Sequence, residues 1–183
     1  MSEQFEGWNK PSWDDWYMGL AFYVSQRSPD TSTKHGCVFI SQDYEPIVFA
    51  YNAFPQDCDD ENMPMTRPDK YDVMVHAEEN GIDIAAKQGK RLKDSILYVT
   101  GPPCMKCFRS LIRCGVLKVI YGPVASNCVT AHDDKMIALM NKSKKTGKDK
   151  IELVEYVGEF IPVLQQTISY VRIKTGKDCN KCI

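Results

Sequence analysis

No stretch of the 183-residue sequence approaches the ~20 consecutive apolar residues that a membrane-spanning helix needs, so no membrane partner is expected. An excess of either charge is missing as well. Lys and Arg number 23 against 24 Asp and Glu, giving a formal net charge of −1. Without a basic surplus there is no bulk attraction to a polyanion, and no nucleic-acid partner is expected, although a local basic groove is not excluded. The opening residues, Met-Ser-Glu-Gln-Phe-Glu, are polar and acidic and do not read as a secretory signal. Internal repeats and low-complexity tracts are absent too.

What remains is an ordinary globular composition, 43% hydrophobic and 26% charged, long enough for one domain with a full core. Residues 1–11 read as a lead-in, 12–173 as a single domain and 174–183 as a tail. Eight cysteines raise the question of a secreted disulfide scaffold. The chain is too long and too rich in core residues to require one, so the expected setting is reducing and cytoplasmic. Cys37 and Cys114 lie in apolar runs and read as core residues.

Two short stretches carry the chemistry: His76-Ala77-Glu78 and Pro103-Cys104-Met105-Lys106-Cys107. One His and two Cys give three zinc ligands, the number typical of a catalytic site, which keeps a fourth position open. Residues 75–87 have apolar positions at Val75, Ala77, Ile82, Ala85 and Ala86, a helical spacing that places His76 on the first turn despite Gly81. The run Ser95–Thr100 reads as a strand stopped by Gly101-Pro102-Pro103. Cys104 and Cys107 then open a second helix with Phe108, Leu111, Ile112 and Val116 on its apolar stripe, so both thiols lie on one side of a first turn. The positive end of that helix favours thiolates. Glu78, two residues from His76, would project beside the metal rather than onto it, where a carboxylate can move protons for an activated water. The pair H-x-E and P-C-x-x-C is the signature of zinc nucleobase deaminases.

Elsewhere, Ser12 reads as the N-cap of a helix over Trp13–Gln26, with Trp13, Trp16, Tyr17, Leu20, Ala21 and Val24 as packing residues. Residues 36–40 and 47–51 form an antiparallel hairpin about a turn at 42–46. A long excursion from Asn52 to Asp72 runs directly into His76 and is placed to roof the site. Residues 95–100, 104–114 and 117–121 make a right-handed parallel βαβ unit. A helix over His132–Asn141, a strand over 151–157 and a helical segment reaching Ile173 complete the chain. The tail holds a second C-x-x-C, Cys179 and Cys182, which either joins Cys58, Cys128, His35 or His132 at a structural zinc or stands as two idle thiols.

With these residues in place, residues 12–125 resemble the deoxycytidylate (dCMP) deaminases of the cytidine deaminase superfamily. The resemblance rests on Ser12–Met18, Gln26-Arg27-Ser28, Tyr51-Asn52-Ala53-Phe54-Pro55 against the family's G-Y-N-G-x-P, and the two zinc motifs. It implies an α/β fold, a three-layer α-β-α sandwich with a central mixed sheet of about five strands. It also implies Zn2+ at His76, Cys104 and Cys107, Glu78 as the catalytic proton shuttle, and dCMP deaminated to dUMP and ammonia to supply thymidylate synthesis. Asn52 would bind the deoxyribose hydroxyl, the backbone from Thr100 to Pro102 the exocyclic amine, and Ala77 and Tyr121 would also line the substrate. Arg27 is the expected phosphate ligand, with Lys34 behind it. By the same resemblance the chain would form a homohexamer, activated by dCTP with Mg2+ and inhibited by dTTP. Ala50 and Ala53 replace two family glycines, and Gly81 stands where the family has Ala. The rival readings are a deaminase of dCTP, of a modified dCMP or of nucleic-acid bases, and a nucleotide sensor without catalysis.

Overall fold

The computed structural model describes residues 10–125 and 129–158. Helix α1 spans Trp13–Ser25; the Ser12 side chain accepts from the Asp15 N–H and caps it. Strands β1 (Gly36–Ile40) and β2 (Pro46–Tyr51) follow as an antiparallel hairpin. The excursion after β2 contains a short turn of helix, α2 (Lys70–Val73). Next come α3 (Ala77–Lys87), β3 (Ile96–Val99), α4 (Met105–Cys114) and β4 (Lys118–Tyr121). Helix α5 (Ala131–Asn141) and strand β5 (Glu152–Glu155) complete the described elements. Thr130 caps α5 through a reciprocal pair of bonds with Asp133.

The five strands form one mixed sheet in the order β2-β1-β3-β4-β5. β1 is antiparallel to β2 and β3, whereas β3, β4 and β5 run parallel. Alternation along the strands sorts side chains to two faces. Cys37, Phe39, Leu97, Val99 and Val119 enter one apolar cluster with Ala85, Phe108, Leu111 and Ile137 from α3, α4 and α5. Val38, Ile40, Tyr98 and Ile120 enter the other with Tyr17, Met18 and Ala21 of α1. Every residue of β1 is therefore buried, which explains its unbroken apolar run in place of alternation. The fold is the expected α/β sandwich.

The expected packing stripe of α1 is corrected at two positions. Trp13 and Trp16 are about half exposed, at 46% and 48%, while Met18, off that stripe, is fully buried. The sheet face under α1 is already filled by Tyr17 and Tyr98, whose rings stack at 5.4 Å, and Trp13 instead stacks at 4.9 Å on Tyr44 from the hairpin turn. Cys37 is fully buried as expected, whereas Cys114 is only partly so. The helical segment expected up to Ile173, the tail cysteines Cys179 and Cys182, and Cys128 lie outside the described residues. Among the described residues no helix is long and apolar enough to cross a membrane.

Candidate active site

The site forms at one end of the sheet, where β1 begins and β2 and β3 finish. His35 precedes β1, Asn52 follows β2 and Thr100 follows β3. The excursion returns to this end through a two-way backbone bridge: the Ala53 N–H donates to the Val75 carbonyl at 3.1 Å, and the Val75 N–H donates back at 2.8 Å. Ala53 has no positive φ, so it occupies its place in the bridge without strain. The bridge delivers His76 to the first turn of α3, and Asn80 secures that helix by donating to the Tyr51 carbonyl at 2.9 Å.

His76 and Cys104 are the N-caps of α3 and α4, and neither makes a side-chain capping bond. Both side chains are thus free to face a common point, in the positive field of two helix N-termini. The His76 Nδ1 lies 3.5 Å from the Sγ of Cys104 and 3.5 Å from that of Cys107. All three ligand atoms are within 4.8 Å of one another. Tetrahedral zinc, with Zn–S of about 2.3 Å and Zn–N of about 2.1 Å, separates an N and an S ligand by about 3.6 Å. The spacing and the donor set both fit zinc. The Cys107 thiol and the His76 imidazole beside it hold Cys104 down to about 4, against the upward effect of burial. Cys107 is pushed up in turn, because its neighbour takes the charge and because it is buried. His76 is raised, first by its bond to Cys104.

Glu78 is 5% exposed and lines the same cavity. Burial pushes its carboxyl up to about 7, partly offset by its own backbone N–H and by His76. A carboxyl poised near neutrality is suited to accept and release protons.

Of the expected substrate contacts, Asn52, Ala77 and Pro102 line this cavity. Asn52 is held firmly: its amide donates to Asp30 at 3.1 Å and to the Thr33 carbonyl at 3.0 Å, while its Oδ1 accepts from the His35 N–H at 2.8 Å. Only an acceptor lone pair on Oδ1 remains for a ligand. Thr100 is fully buried behind the wall, and its carbonyl accepts from the Val124 N–H. Tyr121 borders a different cavity, beside α5 and β5. Arg27 is exposed and off the cavity, and the Lys34 amino group donates to the Ser28 and Gln26 carbonyls.

Several wall residues went unassigned in the sequence: Asp30, Thr33, Arg67 and Lys70, with His35 considered only as a metal ligand. Their one signal was position, either in the polar loop before β1 or in the excursion leading to His76. Lys70 is 5% exposed and donates to Asp30 at 2.5 Å and to Ser32 at 2.7 Å. The Arg67 guanidinium lies 5.4 Å over the Tyr71 ring, is exposed, and has no ion pair among the described residues.

The family model described as "Cytidine and deoxycytidylate deaminase zinc-binding region" matches residues 11–123. The chain is 30% identical over 115 residues to the deoxycytidylate deaminase of Homo sapiens, covering 60% of this chain and 64% of that one. It is 36% identical over 109 residues to a probable deoxycytidylate deaminase of Caenorhabditis elegans, covering 57% and 54%. The chain thus spans less than two thirds of the length of these curated relatives. A crystal structure of dCMP deaminase from the cyanophage S-TIM5, in complex with dCMP and dUMP, superposes with a TM-score of 0.61 at 21% identity, covering 81% of this chain and all of that one. That likeness concerns the fold.

Proposed function

The chain belongs to the cytidine and deoxycytidylate deaminase zinc-binding family, and from that premise we propose that it hydrolyses dCMP to dUMP and ammonia. The observation that carries this reading is a buried Glu78 lining one cavity with a His76–Cys104–Cys107 donor set spaced for zinc. Curated relatives named deoxycytidylate deaminase direct the choice of substrate toward dCMP.

In this reading His76, Cys104 and Cys107 hold the metal, and Glu78 does not. Zinc bound there supplies a water acidic enough to act as a nucleophile at neutral pH. Glu78 accepts a proton and delivers it to N3 of cytosine, which makes C4 electrophilic. It then takes a second proton from the hydroxyl now on C4 and passes it to the exocyclic nitrogen, so that the C4–N bond breaks, ammonia departs and C4 keeps the oxygen from water as a carbonyl. Asn52 accepts from the deoxyribose hydroxyl, and the chain at Gly101 and Pro102 borders the amine. For the phosphate we replace Arg27 with Arg67. Arg67 borders the cavity and has no carboxylate partner among the described residues, whereas the other cation on the wall, Lys70, is neutralised by Asp30. The role of the product as a thymidylate precursor, a cytoplasmic setting, assembly into a homohexamer, and control by dTTP and by dCTP with Mg2+ belong to the same proposal, carried by the family resemblance.

The test is ammonia release by zinc-loaded protein offered dCMP, dCTP, deoxycytidine and a cytosine oligonucleotide, each with and without dCTP or dTTP as effector. Turnover of dCMP is expected. Glu78→Gln is expected to keep its zinc and to lose about 10³-fold in kcat. Near-normal turnover by that variant would remove Glu78 from the role, and silence on all four compounds with zinc bound would favour a sensor.

A further inference from the structure

His35 lines the same cavity as His76, Cys104 and Asn52, and the chemistry above gives it no task. Its ring is anchored from behind. The Nδ1 lies 3.2 Å from Thr100 Oγ1, and that same oxygen accepts from the Gly36 N–H at 3.2 Å. Thr100 is fully buried, and among the described residues its hydroxyl hydrogen has no acceptor other than His35. A buried hydroxyl donates to what it has, so Thr100 donates to Nδ1 and the imidazole proton resides on Nε2. The ring also lies close against Gly101, where a Cβ would meet Cε1 at 2.9 Å. Burial lowers the pKa of His35, and His76 adds to that, both acting against the charged ring. The result is an oriented N–H donor on the cavity wall with no hydrogen-bond partner on its Nε2 among the described residues.

We infer that His35 is a substrate-binding residue whose Nε2–H donates to the O2 carbonyl of the cytosine ring, an inference that rests on the cytosine-nucleotide reading above. The place follows from the two ends of the cavity. C4 must lie at His76, Cys104 and Glu78, and the sugar at Asn52, whose Oδ1 accepts from the His35 backbone N–H. Between them a pyrimidine presents the edge carrying C2. N3 is engaged by Glu78, so the acceptor left on that edge is O2. A donor fixed on O2 holds the ring in one orientation, with C4 toward the metal ligands and N3 toward Glu78.

The experiment compares wild type, His35→Leu and His35→Gln, each with measured zinc content, on dCMP and on 2-thio-dCMP, whose sulfur is a weak acceptor. On dCMP, His35→Leu should lower kcat/KM about 10- to 100-fold with zinc retained, partly in kcat, and His35→Gln should recover much of the loss through its amide donor. On 2-thio-dCMP, wild type and His35→Leu should differ by less than about threefold. If His35→Leu loses zinc or fails to fold, Thr100→Val decides the matter: freeing Nδ1 to take the proton should produce a loss on dCMP that is absent on 2-thio-dCMP. Unchanged kcat/KM in His35→Leu, or an equal penalty on both substrates, overturns the inference. A wild type that turns over no cytosine compound overturns the functional reading first, and this one with it.

Discussion

The Lys70–Asp30 pair under the cavity should be worth far more than its ion-pair distance alone suggests, and Lys70→Met tests this. The substitution keeps most of the apolar stem and removes the ammonium. Both side chains are almost completely inaccessible, at 6% and 3% exposure, so Asp30 would be left as a buried charge without its counter-ion. Breaking a buried pair in this way costs about 3–5 kcal/mol. Asp30 would still accept from the Ser32 N–H at 2.8 Å, the Ser32 hydroxyl at 2.9 Å, the Thr33 N–H at 3.2 Å and the Asn52 amide at 3.1 Å, which places the loss at the low end. A loss of about 3 kcal/mol lowers the folding constant roughly a hundredfold, readable by urea denaturation. The control is Lys142→Met. Its pair with Asp149 is of similar length, 2.7 Å, but 63% and 50% exposed, so the expected cost is below about 1 kcal/mol. Acid gives a second reading. Burial alone would raise the Asp30 carboxyl, but Lys70 and the Ser32 and Thr33 donors outweigh it and hold it below the ordinary carboxylate range. The pair's contribution is therefore complete above the unfolded-chain value of about 3.9, and it is lost as pH falls through the lower folded value. The gap between wild type and Lys70→Met should persist at neutral pH and close under acid. A gap under about 1 kcal/mol at pH 7, or one that widens in acid, would refute the reasoning.

Two further outcomes follow from the same cavity and its supporting helix. Arg67→Gln should raise KM for dCMP about tenfold while leaving deoxycytidine turnover unchanged, because only the phosphate needs the guanidinium; equal effects on both in steady-state kinetics would place the phosphate elsewhere. Gly81→Ala should lower stability by about 1 kcal/mol in thermal unfolding even though Ala is the better helix former. The new Cβ would lie 2.6 Å from Phe39 Cε2, and within a Phe39→Leu background the same Gly81→Ala change should raise stability instead of lowering it.

The position of Gly81 shows why some features were readable in the chain and others were not. Within a helical run, glycine reads as a weakness; against the buried Phe39 ring it is the residue that fits. Trp13 and Trp16 illustrate the converse. Their spacing matches a core stripe, yet the sheet face that would bury them is taken by Tyr17 and Tyr98. Arg27 and Tyr121 were carried over as substrate contacts by resemblance. They do not border the cavity that holds His76 and Glu78, because a motif match does not fix the direction of a side chain: Arg27 is exposed, and Tyr121, though β4 ends at the same edge as β3, faces the cavity beside α5 and β5.

By itself the sequence determined whatever depends on neighbours within a few residues. His76 and Cys104 at helix starts, Cys107 one turn on, Glu78 two residues from His76, and a strand-helix-strand unit are local facts of spacing and turn chemistry, and the chemistry of three N/S ligands with a carboxylate follows from them. The tertiary structure alone decided the rest of the wall. Asp30 and His35 come from the loop before β1 and Arg67 and Lys70 from the excursion after β2, and no periodicity links the two segments; they meet because β1, β2 and β3 place three chain ends at one edge and the Ala53–Val75 bridge returns the excursion to it. A hydrogen bond such as Thr100 to His35 spans 65 positions, and only the packing of the sheet makes it short.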